Sequence, residues 1–226
     1  MESGVRMGLF GGSFNPVHMG HLRAAEEIRE LFSLAKVIFI PAQISPHKPA
    51  AAVAAAHHRL TMLEHAIKNN RHFSVSDVEL KRPGRSYSVE TLRYFRETFP
   101  EAAAPFFIMG IDAFIEIGSW KNYRDLFALC NFIVMTRPGY ALPHAAQLIP
   151  RQLASDFSFH REEKRYLHAS GCSVFIADIP GLAISSQDIR KRAAEGRSIT
   201  YLVPETVEDY MRDHHLYQHL EPVSNS

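Results

Sequence analysis

Two stretches of this chain carry residue types that can hold a polyphosphate. The first is Gly11-Gly12-Ser13-Phe14-Asn15-Pro16-Val17-His18-Met19-Gly20-His21. Paired glycines let the backbone turn sharply and come close to a ligand. His18 and His21 stand three apart, so at a helix start they share one face. Two imidazoles there donate hydrogen bonds to phosphate oxygens, or carry charge when an anion raises their pKa. The helix N-terminus behind them offers unpaired N–H groups and the positive end of a dipole. Gly20 leaves room for the ligand between the two rings. Neither GxxxxGK[ST] nor GxGxxG is present here, which excludes a P-loop at this site and leaves a dinucleotide-dehydrogenase reading without its fingerprint.

The second stretch is Ile184-Ser185-Ser186-Gln187-Asp188-Ile189-Arg190-Lys191-Arg192. Ser185 with Asp188 three residues on has the form of a capping box, with Asp in place of Glu or Gln. The helix it opens again presents N–H groups to an anion. Arg190 lies about one turn in and can reach across a phosphate with two bonds. Taken alone, the same residues also describe an ordinary capped surface helix with a solvated basic face.

Between them lie residues suited to choosing a second substrate. Pro46-His47-Lys48-Pro49 is a proline-restricted segment in which His47 and Lys48 offer positive charge. An exposed basic turn would have the same composition. Ser88, after Ser86 and Tyr87, stands before a helix, where it also fits an N-cap. Gly110-Ile111-Asp112 ends a strand. Trp120, the only tryptophan, is followed by Lys121 and Tyr123. An indole stacks on a flat electron-poor ring, although most single tryptophans belong to cores.

The elements that must position these groups alternate along the chain. Strands are expected at Val5–Phe10, Val37–Ile40, Phe73–Leu80, Phe106–Met109, Phe132–Met135 and Val174–Ile176. Helices are expected to follow Gly20, where Leu22, Ala25, Ile28, Leu31 and Phe32 recur at helical spacing. Further helices are expected at His58–Ile67, Val89–Phe99, Tyr123–Leu129, Ser186–Ala194 and Glu205–His214. Gly196 should end the helix before it. This alternation predicts an α/β fold, a doubly wound, mostly parallel sheet with ligands beyond the carboxyl ends of its strands. Residues 44–56 and 138–172 are the least patterned, and the second is expected to be an insertion or a helical excursion. The 226 residues suit a single domain, 1–226, with a small C-terminal helical part at about 186–220.

Apolar residues make up 46% and the formal net charge is +1, so the chain has a full core and no cationic field for nucleic acid. Two cysteines outside any CxxC pair fit a reducing compartment. Cys130, at the end of an apolar helix, reads as core. No run spans a bilayer and no apolar leader precedes the glycines, so a cytoplasmic protein is expected. His214-His215 with His219 reads as a solvated helix end.

GGSFNPVHMGH resembles the GG[ST]F[DN]PxHxGH segment of the nucleotidyltransferase superfamily, and ISSQDIR resembles its ISS[TS]xIR signature. Between them PAxxxPHK, SYS..TL, GxDxF…W and a strand ending TRPG follow the order of bacterial nicotinate-mononucleotide adenylyltransferases, over about residues 7–217. Ala42, Ser88 and Gln187 depart from the usual residues. The resemblance implies a Rossmann-like nucleotidyltransferase fold that moves AMP from ATP to nicotinate mononucleotide, releasing diphosphate. It implies an ATP site of Gly11, Gly12, Ser13, Phe14, His18, Gly20, His21, Ile184, Ser185, Ser186 and Arg190, with His18, His21 and Arg190 catalytic. The implied acceptor site has Trp120 on the pyridine ring and Ser88 with the backbone near Trp120–Lys121 on its carboxylate. Asp112 would orient a ribose, and His47, Lys48 and Arg137 would meet phosphates. Mg²⁺ is expected on the ATP phosphates and water, since no His/Asp/Glu cluster with metal-ligand spacing stands near the first motif. The rival readings are another acceptor (nicotinamide mononucleotide, phosphopantetheine or glycerol phosphate), a tRNA enzyme of the synthetase kind, or a non-catalytic nucleotide sensor. The chain is short for the tRNA enzyme and keeps both histidines and Arg190, unlike a degenerate sensor.

Overall fold

A computed structural model of the protein describes residues 5–44, 53–99, 104–136 and 148–218. Along these residues the chain forms β1 (Met7–Gly12), α1 (Met19–Leu31), β2 (Lys36–Pro41), α2 (Ala56–Ile67), β3 (Phe73–Val75) and α3 (Ser88–Thr98). It continues through β4 (Phe106–Gly110), α4 (Ile111–Ile115), α5 (Tyr123–Leu129), β5 (Asn131–Thr136), β6 (Phe157–His160) and β7 (Arg165–His168). The last elements are β8 (Ser173–Asp178), α6 (Ser186–Ala194) and α7 (Glu205–Asp213). The expected bounds of α5 and α6 are those observed.

The strands make one sheet in the order β3-β2-β1-β4-β5-β8-β7-β6. From β3 to β8 every neighbouring pair is parallel. The edge hairpin β6–β7 joins β8 antiparallel. Side chains alternate across a strand, and here both faces are apolar, as a covered parallel sheet requires. Leu9, Ile38, Ile40, Phe107, Met109, Phe132 and Val134 face one core, which is closed by α3, α4 and α5. Phe10, Val37, Phe39, Phe106, Ile108 and Ile133 face the other, closed by α1, α2, α6 and α7. Both faces of the sheet are therefore wound, as the sequence predicts.

The winding reverses at β1, which has β2 on one side and β4 on the other. Connections leaving these two strands diverge, so a crevice opens beyond their carboxyl ends. Gly12 and Gly110, the last residues of β1 and β4, stand at its floor.

Three expectations are corrected. The ladder expected over Phe73–Leu80 stops at Val75, with one further bond from the Ser76 N–H to the Phe39 carbonyl at 2.9 Å. Beyond it Glu79 turns inward and accepts from the Thr91 hydroxyl at 2.6 Å, so a bond to α3 replaces strand pairing. Of the two readings of 138–172, an insertion or a helical excursion, the helical one does not hold from Leu148 on, where a 3-10 turn at Arg151–Asp156 is followed by the β6–β7 hairpin. Its strands have four residues each around the charged turn Arg161–Lys164, too short for alternation to stand out. Ser88 is not an N-cap: Tyr87 holds that place without a side-chain bond, and Ser88 begins α3. Helix α4 was not expected, and five residues are too few to show a period.

No helix among the described residues is long and apolar enough to cross a membrane. Leu9 is fully buried on the central strand. Leu9→Ala should lower the unfolding free energy by about 2–5 kcal/mol, the cost of a core cavity. Urea denaturation measures it, and a loss below about 1 kcal/mol would mean that this core is loosely packed.

Candidate active site

The turn from β1 into α1 is built on Phe14. Its φ is 45°, in the left-handed region, and its side chain is buried. The ring sits 5.7 Å from Phe10, 5.7 Å from Phe39 and 5.1 Å from the His21 ring, between centroids. Aromatic packing therefore offsets the backbone cost of that φ. A Cβ on Gly12 would come within 3.0 Å of the Phe14 ring, which is why the second glycine of the pair has no side chain. Asn15 then ties the turn to distant segments. Its Oδ1 accepts from the Ala54 N–H at 3.0 Å and from the Tyr217 hydroxyl at 2.6 Å. Its carbonyl accepts from Arg190 Nη1 at 2.7 Å.

His18 is the N-cap of α1 and His21 its third residue, and the two cap each other. The His21 N–H donates to His18 Nδ1, and the His18 N–H donates to His21 Nδ1, both at 3.3 Å. The rings lie stacked, with centroids 3.6 Å apart. An Nδ1 that accepts has no proton, so in each neutral ring the N–H is at Nε2. Burial holds the His18 pKa down at about 4. His18 is thus an uncharged donor at neutral pH, which narrows the expectation that it carries charge. A Cβ on Gly20 would lie 3.0 Å from His18 Nδ1, so the residue between the histidines must be small.

The N–H groups at the start of α1 are mostly spent. Met19 donates to the Leu202 carbonyl at 2.9 Å and His21 to His18. Of the first three N–H groups of α1, that of Gly20 has no partner among the described residues. In α6, Ser185 accepts from the Asp188 N–H at 3.1 Å, but Asp188 bonds to Arg192 instead of reaching back, so the capping box is half formed. The N–H groups of Ser186 and Gln187 find no partner among the described residues. The Ser186 hydroxyl donates to the Pro16 carbonyl at 2.9 Å and joins the start of α6 to that of α1. Gly196, at φ 67°, ends α6 as expected.

These groups open on one cavity of about 990 Å³ beyond the carboxyl ends of β1 and β4. Gly12, Ser13, Phe14, His18, Gly20 and His21 line one wall, and Ile184, Ser185, Ser186, Gln187 and Arg190 the facing wall. Asp112, exposed in the first turn of α4, is the only carboxylate among the lining residues. Two helix N-termini, two imidazoles and a guanidinium against one carboxylate make a site for a polyanion. Gly11 stays within β1 against Phe107 and does not line it.

Ser88, Trp120 and Lys121 are not among the residues that line the cavity. Trp120 is half-buried and meets Phe107 edge-on, with centroids 6.5 Å apart. Lys121 pairs with Glu90 of α3 at 2.8 Å and stands 4.3 Å over the Tyr87 ring. The starts of α3 and α5 are therefore joined around Tyr87 and Trp120. His47, Lys48 and Arg137 lie outside the described residues, as does His219. Cys130 is core, its thiol donating to the Leu126 carbonyl. His214 and His215 are exposed, and no metal-holding group of His, Cys, Asp or Glu occurs among the described residues.

Sequence reasoning missed Asn15 as a hub, and Thr136, Tyr217 and Arg59 altogether. Thr136 is buried on the lining at the end of β5. Arg59 did leave a signal. It shares the apolar stripe of α2 with Met62, Leu63 and Ile67, where a charge must find buried partners.

A family model described as cytidylyltransferase-like matches residues 9–192. A relative from Geotalea uraniireducens, named "Probable nicotinate-nucleotide adenylyltransferase", is 45% identical over 213 residues, 94% of this chain and 98% of that protein. One of the same name from Geobacter metallireducens is 46% identical over 216 residues, 95% and 99% of the two chains. The solved nicotinic acid mononucleotide adenylyltransferase of Plasmodium falciparum, complexed with NaAD, superposes with a TM-score of 0.73 at 20% identity, covering 96% of this chain and 99% of its own. That likeness concerns the fold, whereas the two bacterial relatives match nearly end to end. With a polyanion cavity at the switch point of a doubly wound sheet, this chain belongs to the nicotinate-nucleotide adenylyltransferase family, among the cytidylyltransferase-like proteins.

Proposed function

We infer that this protein moves AMP from ATP to nicotinate mononucleotide, giving nicotinate adenine dinucleotide and diphosphate for NAD synthesis. One observation carries the reading: the starts of α1 and α6 face each other across a single cavity, with His18, His21 and Arg190 on its walls. The 226 residues act as one unit, in which the C-terminal helices complete the ATP site. We assign the reaction to the cytoplasm on the two free cysteines, Cys130 and Cys172, which suit a reducing compartment.

An oxygen of the acceptor phosphate attacks the α-phosphorus of ATP, a P–O bond forms, and the bond to the departing diphosphate breaks in line. The attacking oxygen is already anionic, so no general base is required. The walls contribute position and charge neutralisation. His18 and His21 donate from Nε2, the Gly20, Ser186 and Gln187 N–H groups complete the ring of donors, and Arg190 adds a fixed cation. His47, Lys48 and Arg137 are assigned to the acceptor phosphate. Asp112 is assigned to a ribose, Trp120 to the pyridine face, and Ser88 with Lys121 to the ring carboxylate. Asp112 is the one carboxylate among the described lining residues, so Mg²⁺ would be held chiefly by phosphates and water and would neutralise triphosphate charge.

Diphosphate release from ATP and Mg²⁺ should be rapid with nicotinate mononucleotide and slow with nicotinamide mononucleotide or phosphopantetheine. Release with only one of the latter would overturn the acceptor, and release with none the chemistry.

His18→Ala and His21→Ala should each lower kcat by well over ~10-fold, because each removes a donor to phosphate charge. Wild-type turnover in either would remove the histidines from the mechanism. Trp120→Ala should raise the KM for the acceptor far more than that for ATP, and equal changes would make Trp120 a core residue. Stability should also report His18. Its folded pKa of about 4 lies below its ordinary 6.5, so between these values only the unfolded chain takes up the proton. The resulting stabilisation, at most about 3 kcal/mol, is complete above pH 6.5 and is lost as pH falls toward 4. Denaturation at about pH 7 and about pH 4.5 should show a larger loss in the wild type than in His18→Asn, whose amide oxygen replaces Nδ1 as the N-cap acceptor. Equal losses would locate the pH dependence elsewhere.

A further inference from the structure

Arg59 is 1% exposed, on the buried face of α2. Its guanidinium donates to three carbonyls from three segments. Nε reaches Ala54 at 3.0 Å, Nη1 reaches Ser13 at 2.9 Å and Nη2 reaches Gln43 at 3.3 Å. These carbonyls stand before α2, after β1 and after β2. Among the described residues no carboxylate pairs with it. Carbonyl dipoles satisfy its N–H groups and leave its unit charge in place. Burial pushes its pKa down, a sign that the cation is held at a cost.

The bonds of Arg59 end at the phosphate-facing turn. Ser13 accepts from it and lines the cavity. Ala54 accepts from it and donates its own N–H to Asn15, whose carbonyl is held by Arg190. The planar fork of Arg59 thus fixes the same turn from behind that Arg190 fixes from the side. A buried cation one backbone layer from a polyanion site is repaid when the anion arrives, because charges in a dry interior are weakly screened.

We propose that Arg59 is a positioning residue for the adenylyl transfer: it holds Ser13 and Asn15 in register and supplies fixed positive charge beneath the bound triphosphate. The inference rests on the reading that ATP phosphates occupy the cavity between α1 and α6.

The test is a binding ladder of adenosine, AMP, ADP and ATP, followed by calorimetry with wild type, Arg59→Met and Arg59→Lys. In the wild type affinity should climb with each phosphate. In Arg59→Met, ATP binding should weaken by about tenfold or more while adenosine changes by less than about twofold, since only phosphates feel the missing charge. Equal losses for adenosine and ATP would make Arg59 a structural strut and overturn the proposal. A wild-type ladder kept in Arg59→Met would overturn it alone, whereas a flat ladder in the wild type would overturn the phosphate reading and this inference together. Arg59→Lys keeps the charge and loses the fork, so it should bind ATP within about threefold of wild type and turn over about tenfold more slowly. Wild-type turnover in Arg59→Lys overturns the positioning role, and decides the matter if Arg59→Met does not fold.

Discussion

The turn between β1 and α1 carries polar backbone into a nearly buried place, and each buried group on it must find a partner. Few of those partners are local. The Ser13 carbonyl is met from α2, the Pro16 carbonyl from the start of α6, and the Asn15 carbonyl from Arg190. The Met19 N–H is met by Leu202, and the Asn15 side chain by Ala54 and Tyr217. The turn holds its shape only when the rest of the chain has folded around it. Donors left over at Gly20, Ser186 and Gln187 belong to residues that line the cavity. Function here is what remains after structural demand is met.

The sheet makes this possible by bringing distant residues to one end. Strand order reverses at β1, so the connections after β1 and β4 separate and leave space between them. Helices α6 and α7 close over that space because Ile189, Val207 and Met211 belong to the same core as Phe10 and Phe39. Apolar packing brings Arg190 and Tyr217 to within hydrogen-bond reach of Asn15, across 175 and 202 residues of sequence. The hydrogen bonds then set register, which hydrophobic burial alone does not.

This division of labour explains what could be read in advance. The apolar runs of β1, β2, β4 and β5 gave the parallel sheet, since strands covered on both faces are apolar throughout. The histidines and Arg190, which the fold brings to one cavity, stood out because their types and spacing suit phosphate. Helix α4 and the hairpin β6–β7 were not, being shorter than the window over which periodicity shows. Asn15 looked like one letter of a motif, and its role depends on Tyr217 and Ala54, which no local pattern connects to it. The left-handed Phe14 was invisible as well, because its cost is met by Phe10 and Phe39 rather than by its own preference. Arg59 could have been found. A charge on an apolar stripe poses a question that its helix cannot answer, and the answer lies at the turn between β1 and α1.

The charge on the cavity wall is divided in a way that suits transfer. Stacked rings 3.6 Å apart would repel if both were cationic, and burial keeps His18 neutral. In their neutral form the imidazoles are oriented dipoles, their tautomers set by backbone N–H groups that already occupy each Nδ1. Fixed charge on the wall comes from Arg190, anchored to the Asn15 carbonyl. Had all these groups been full cations, the triphosphate and the released diphosphate would be held alike, and tight product binding would slow turnover. Neutral donors of fixed direction gain most where charge accumulates on phosphate oxygens during bond exchange. They gain less from the ground state, and under the proposed mechanism that difference lowers the barrier.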